Sequence, residues 1–317
     1  MRKVFITGIT GFAGSFLAEH LLKQDYEVHG TYLDEGSLTQ VEEFKQNLKL
    51  YKINLLQKED IDNLILELKP DEIYHLAALT SPAQSFKMPT QTISNNANAQ
   101  IYLFESVIKA GITPKILVVS SADIYGLVEE KDLPISEDTP LNPSNPYAVS
   151  KITQDYLALS YYNFTNLPIV RVRPFNHIGP RQAPSFVAPD FAKQIAEIER
   201  GIKPPIIKVG NLEAKRDFTD VRDMVRAYQL ALTLGKPGDV YNIGSGKSLQ
   251  IGDILKILLS FSNISIKTEK DKNLVRSIDT KNRICDVTKF KNLTHWDTKI
   301  PLEQSLLDLL NYWRKKV

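Results

Sequence analysis

The stretch "KVFITGITGFAGSFLAEHLLKQ" (3–24) decides how the rest of the chain is read. A β-branched apolar run, "KVFITG" (3–8), leads into glycines at 8, 11 and 14, then into apolar residues at three- and four-residue spacing. The first part reads as a buried strand and the last as an amphipathic helix. Glycine between them serves a dinucleotide-binding turn in three ways. It allows the tight reversal, backbone approach to a pyrophosphate, and close packing of helix on strand. The helix N-terminus then faces the phosphate charge. Gly8, Gly11, Phe12, Ala13 and Gly14 are therefore candidate cofactor contacts. The spacing is GxxGxxG, not the commoner GxGxxG, and a glycine turn that binds nothing is the alternative; the strand–turn–helix setting argues for the nucleotide.

Outward from this turn, strand-like and helix-like segments alternate. "YEVHGTY" (26–32), "LKLYKIN" (48–54), "DEIYHLAA" (71–78), "KILVVSS" (115–121) and "PIVRVRPF" (168–175) read as strands. "KEDIDNLILELK", "ANAQIYLFESVIKAG" and "YAVSKITQDYLALSYYN" carry helical periodicity between them. Such alternation predicts an α/β fold built on a doubly wound parallel (Rossmann) sheet. After Phe175 the pattern weakens and prolines multiply, with "FVAPDFAKQIAEIER" the one clear helix of that stretch. "DVRDMVRAYQLALTLG" and "GDVYNIGSG" add one more helix and strand to the sheet, and the mixed remainder ends in the amphipathic "PLEQSLLDLLNYW". The expected organisation is a dinucleotide-binding domain of residues 1–175 plus about 216–243. A smaller, discontinuous C-terminal substrate lobe takes about 176–215 plus 244–317.

Bulk composition narrows the function. With 39 basic and 37 acidic side chains, the net charge of +2 offers no electrostatic case for nucleic acid. No apolar run approaches the roughly 20 residues that span a bilayer. The basic start meets glycines too soon for a signal peptide, so a cytoplasmic protein is expected. A lone cysteine, Cys285, rules out an internal disulfide and a cysteine-based zinc site, and the five histidines form no metal constellation. His75 reads as packed at a strand end.

"NPYAVSK" (145–151) sets Tyr147 and Lys151 four apart, on one helix face. A phenol titrates near pH 10, and a neighbouring ammonium should lower that value. Ser121, at the end of the fifth strand, can hold a substrate oxygen against Tyr147. Ser121, Tyr147 and Lys151 are the candidate catalytic residues. At the second strand's end, where an acid would bind the adenosine ribose, Asp34 follows slightly late and no arginine is near. The cofactor is thus NADH or NADPH, with a lean to NADH.

Taken together, "TGITGFAG", "HLAA", "SSADIYG", "PYAVSK", "FNHIGP", "KRDFTDVRD" and "RSID" resemble the extended short-chain dehydrogenase/reductases that act on nucleotide sugars. The resemblance covers essentially the whole chain. Its segment 175–228 is similar to the reductases of GDP-4-keto-6-deoxy-D-mannose, and its opening also to the dehydratases of GDP-mannose. The resemblance implies further cofactor contacts at Leu76, Ala77, Ala78 and Asn96. It implies a GDP-sugar substrate touched by Ser81, Ser121, Asn176, Lys193, Asn211, Arg216, Arg276 and Asp279. Amide and guanidinium groups at 176, 216 and 276 suit a diphosphate, Asp279 suits ribose hydroxyls, and the role of His177, beside Asn176 in "FNH", is left open between substrate contact and packing.

Asp123, two residues before Tyr125, sits where related 4,6-dehydratases place a glutamate that removes the C5 proton. Aspartate is one methylene shorter, and about 1 Å of misplacement can cost on the order of a hundredfold in rate. Asp123 therefore reads as a turn residue. The expected reaction is reduction of the C4 ketone of GDP-4-keto-6-deoxy-D-mannose to GDP-D-rhamnose for polysaccharide assembly, with Tyr147 as proton donor. A GDP-sugar 4,6-dehydratase using Asp123 and a nucleotide-sugar 4-epimerase remain rivals. A non-catalytic nucleotide-binding protein on the same fold is argued against by the joint presence of Ser121, Tyr147 and Lys151. Apolar residues on several faces of the helices at 92–110 and 146–163 predict a homodimer through them.

Overall fold

A computed structural model gives the fold for residues 1–271, 274 and 281–317. The chain begins with β1 (Lys3–Thr7), α1 (Phe12–Leu22), β2 (Glu27–Tyr32), β3 (Lys49–Lys52), α2 (Lys58–Leu68) and β4 (Glu72–His75). It continues through α3 (Pro82–Ser85), α4 (Pro89–Lys109), β5 (Lys115–Val119), α5 (Pro146–Thr165) and β6 (Ile169–Pro174). Then come β7 (Asn176–Ile178), α6 (Val187–Glu199), β8 (Ile206–Val209), β9 (Lys215–Asp220), α7 (Val221–Leu234) and β10 (Val240–Ile243). The last part holds β11 (Ser248–Gln250), α8 (Ile251–Ser260), β12 (Lys267–Lys270), α9 (Thr288–Thr294) and α10 (Leu302–Lys316).

The central sheet has seven strands in the order β10-β6-β5-β4-β1-β2-β3, every pairing parallel. Its order reverses between β1 and β4, and the crevice outside the strand ends at such a switch point is where this architecture binds ligands. Parallel strands must be covered on both faces, which explains their nearly unbroken apolar runs. One face carries α1 and α7, packed on each other over Val4, Ile6, Leu117 and Val172. The other carries α2, α4 and α5 over Phe5, Ile73, Ile116 and Ile169. The doubly wound sheet expected from the alternation is the sheet observed, with element ends displaced by three residues at most, except that α4 starts at Pro89, eight residues before the quoted "ANAQ".

The stretch that the sequence left mixed forms two small sheets, β11-β9-β7 and β12-β8. A separate apolar core lies beneath them, where α6, α8 and α10 meet through residues such as Phe191, Ile195, Leu255, Leu309 and Trp313. Apart from β9, these strands have three or four residues, too few to show a two-residue alternation. Among the described residues, no helix is long and apolar enough to cross a membrane, and no group of three or more His, Cys, Asp or Glu is placed to hold a metal ion.

Candidate active site

A cleft of about 320 Å³ opens at the carboxyl ends of β1, β4, β5 and β6. Its floor is the glycine turn. Gly8 adopts φ +71°, and a Cβ on Gly14 would lie 2.2 Å from the Gly8 carbonyl oxygen. Helix α1 starts at Phe12 after Gly11, which offers no side-chain cap, leaving first-turn N–H groups for a bound anion. Leu76, Ala77 and Ala78 form the adjoining wall. Thr7 Oγ1 fixes that wall by accepting from the amides of Leu76 and Ala77, at 3.2 and 3.1 Å. These residues fit a dinucleotide, with pyrophosphate on the helix end.

The reactive end is set by local chemistry. Asn145 caps α5, its side chain accepting from Ala148 N at 2.8 Å, and Pro146 occupies the first helical position. The helix therefore begins one residue before Tyr147, and Lys151 falls one turn later on the same face. Ser121 caps the short 3-10 turn 122–125, its Oγ accepting from Asp123 N at 3.1 Å. That leaves the Ser121 proton for donation, and its hydroxyl bonds Tyr147. Lys151 Nζ donates to Val119 O at 2.8 Å.

The electrostatics differ from the expectation that Lys151 lowers the Tyr147 titration. Burial pushes the Tyr147 phenol well above its ordinary value, and the Asp123 carboxylate adds to the rise while Ser121 opposes it. Burial pushes the Lys151 ammonium down to about 7. Both groups lose water as they enter the site, and desolvation outweighs their proximity. His75 is held neutral, pushed down to about 3 by burial and by Lys151. Its Nδ1 lies 2.9 Å from Thr7 Oγ1 and its Nε2 3.3 Å from Gln154, so it packs as expected.

The cleft brings together Gly8, Gly11, Phe12, Ala13, Gly14, Leu76, Ala77, Ala78, Ser121, Tyr147, Lys151 and Asn176. His177 joins them, stacked on Phe12 with ring centroids 5.6 Å apart. Other candidates stand outside the lining. Asn96 is fully buried, bonding both polar groups of Leu79 and the Ser150 hydroxyl, which in turn bonds Tyr147 O. It steadies the start of α5. Asp34 caps the turn after β2, accepting from Gly36 N. Ser81 caps α3 between the lining residues Thr80 and Pro82. Lys193 lies over the Trp313 ring and near Glu197. Asn211 accepts from Glu213 N, and Arg216 is buried on β9 and donates to Lys215 O. Arg276 and Asp279 lie outside the described residues.

Thr80, Pro82, Gln182 and Phe186 line the cleft without having been singled out in the sequence, and two further residues bear on its chemistry. Tyr228, on α7, lines the cleft with a fully buried hydroxyl that has no hydrogen-bond partner among the described residues. Arg283 pairs with Asp123 across 160 positions of sequence; nothing in "KNRICD" foretells that contact.

A family model described as GDP-mannose 4,6 dehydratase matches residues 5–309. The chain belongs to that family. Its relatives within and around the family include GDP-6-deoxy-D-mannose reductase of Pseudomonas aeruginosa, 31% identical over 316 residues, which cover 100% of this chain and 98% of that one. GDP-mannose 4,6-dehydratase of Yersinia enterocolitica is 31% identical over 278 residues, 84% of this chain and 74% of that one. The solved structure of RMD from Pseudomonas aeruginosa complexed with NADPH superposes with a TM-score of 0.88 at 30% identity, covering 100% of both chains. As a member of this dehydratase family with a short-chain dehydrogenase/reductase fold, the chain is an NAD(P)-dependent nucleotide-sugar enzyme in kind.

Proposed function

We propose that this protein reduces the C4 ketone of GDP-4-keto-6-deoxy-D-mannose to GDP-D-rhamnose. The observation that carries the reading is the state of the two acids in the cleft. Tyr147 is held as a protonated phenol against Ser121, while the Asp123 carboxylate is occupied by Arg283. Reduction needs a proton donor at the C4 oxygen and no base at carbon. A nicotinamide cofactor, NADH or NADPH, supplies the hydride when bound. Tyr147 donates its proton to the C4 oxygen as negative charge grows there, and Ser121 donates a second hydrogen bond to the same atom. Lys151, titrating near 7, can return a proton to Tyr147 at neutral pH.

Asn176 at the cleft and Arg216 on the neighbouring β9 suit a diphosphate. In this reading residues 1–175 with 216–243 serve the cofactor, and 176–215 with 244–317 serve the sugar nucleotide. A homodimer through α4 and α5 fits the exposed Tyr156 and Phe164, which edge a surface depression with Leu159, Ser160 and Asn163. Sedimentation giving a monomer at micromolar concentration removes the dimer.

The test is incubation with the 4-keto-6-deoxy sugar nucleotide and, separately, GDP-mannose, each with NADH and with NADPH, products being identified by mass and NMR. Consumption of reductant and a 4-hydroxy product are expected. A second reading, 4,6-dehydration, is favoured by the position of Asp123 beside Tyr147. Release of a 4-keto-6-deoxy product from GDP-mannose without added reductant selects it.

A further inference from the structure

Among the described residues Asp123 carries the one carboxylate that lines the cleft, and Arg283, outside that lining, holds it. Its backbone is pinned on two sides. The Arg283 amide donates to Lys215 O on β9 at 3.2 Å, and Ile284 O accepts from Ile135 N at 2.8 Å. Next to it, Cys285 N donates to the buried Asp217 carboxylate at 3.1 Å. From this fixed run the guanidinium, 10% exposed, donates to Asp123 Oδ1 and, at 3.4 Å, to Gly126 O. It therefore clasps the 121–126 turn at its middle and at its last residue. Gly126 packs so closely on the 142–143 backbone that a Cβ there would fall 1.5 Å from Asn142 O.

A carboxylate beside a ketone is a chemical hazard. Hydrogens on the carbons flanking a carbonyl are acidic, and a free carboxylate within reach removes one. The C–H bond breaks, an O–H bond forms on the carboxyl group, and the electron pair becomes the double bond of an enol. The carbonyl pair moves to the C4 oxygen, which takes the Tyr147 proton. Reversal with a proton drawn from solvent restores the ketone, with no net gain or loss of electrons.

We propose that Arg283 is a positioning residue that occupies Asp123 and thereby prevents hydrogen exchange next to the ketone while C4 is reduced. This rests on the reductase reading above. The test compares the native protein, Arg283→Met and Arg283→Met/Asp123→Asn in D2O with GDP-4-keto-6-deoxy-D-mannose and oxidised cofactor. Deuterium uptake is read by mass and its position by NMR. The native protein should match the enzyme-free rate, and Arg283→Met should exceed it by about a hundredfold, the range of general base catalysis. The double variant should return to the native rate, and Arg283→Lys, which keeps the cation, should stay near it. Arg283→Gln replaces the Met variant if that one does not fold, with the same rise expected. Native-like exchange in Arg283→Met, or exchange surviving in the double variant, overturns the proposal. A crystal structure of Arg283→Met reads the same point with no sugar present: the Asp123 carboxylate should turn toward Tyr147, and an unmoved carboxylate counts against the proposal. Failure of the reductase reading shows separately, as native protein that leaves the ketone unreduced with either cofactor.

Discussion

Replacing Lys151 with methionine should make the free protein more stable while destroying its chemistry. Lys151 is 3% exposed, and burial moves its ammonium from 10.5 to about 7. At about 1.4 kcal/mol per pH unit, keeping it charged in the folded state costs about 5 kcal/mol. The sign follows from proton counting. Between about pH 7 and 10.5 the unfolded lysine holds a proton that the folded one has released. Stability from this group therefore rises with pH across that window, and below 7 the full penalty applies. Methionine removes the penalty but leaves Val119 O without the 2.8 Å bond from Nζ, a loss of about 1 kcal/mol. The variant should gain about 4 kcal/mol near pH 6, with the gain shrinking by up to about 1.4 kcal/mol per pH unit above 7. Urea unfolding of both proteins without cofactor, at intervals from about pH 6 to 10, measures this. The difference reads Lys151, because His75, which Lys151 helps to push down, stays neutral across this range. A variant less stable than native near pH 6, or a gap that does not close with pH, refutes the reasoning. Turnover and cofactor affinity should fall in the same variant, a trade of activity for stability.

Tyr147→Phe should cut turnover by about 10² to 10⁴ with sugar-nucleotide affinity by calorimetry unchanged; equal losses in both would contradict its role as proton donor. Asp155→Asn should destabilise the fold by about 3–5 kcal/mol, because Asp155 is fully buried and accepts from Arg171 at 2.7 Å and from Arg173 at 2.8 and 3.2 Å. Chemical denaturation showing under about 1 kcal/mol of loss means that the charges reach water by another route. Tyr228→Phe deletes a buried hydroxyl without a partner among the described residues and should stabilise the free protein by about 1 kcal/mol, read as a rise in the unfolding midpoint; a loss of stability means that the hydroxyl has an acceptor.

The central sheet was legible because its strands are long enough to carry buried apolar runs and its helices keep a 3.6-residue period. The cleft residues at strand ends were legible for the same reason: a doubly wound sheet puts the residues after β1, β4, β5 and β6 at one edge. What escaped depends on pairings that local pattern does not encode. The three-residue strands β7 and β11 flank β9 in register only in three dimensions. Arg283 finds Asp123 through a strand-like run pinned to β9, and Asn96 spends its amide on Leu79 and Ser150. The direction of the Tyr147 shift needed the depth of burial, since the same Tyr–Lys spacing on an exposed helix face would leave the ammonium's attraction in command.

Phe175 alone separates β6 from β7, nothing separates β9 from α7, and four residues, 244–247, join β10 to β11. At these three crossings the backbone passes between the large sheet and the small one with no slack. Asp220 tightens the second, capping α7 through Arg222 N at 2.7 Å while taking the Ser305 hydroxyl at 2.5 Å. A recombinant chimera that exchanges the small sheet for a relative's must therefore match three splice points at once, each to within about a residue's 3.3 Å of reach. Point replacement of side chains asks for no such coincidence, and is the easier route by which a new sugar preference can be built on this scaffold.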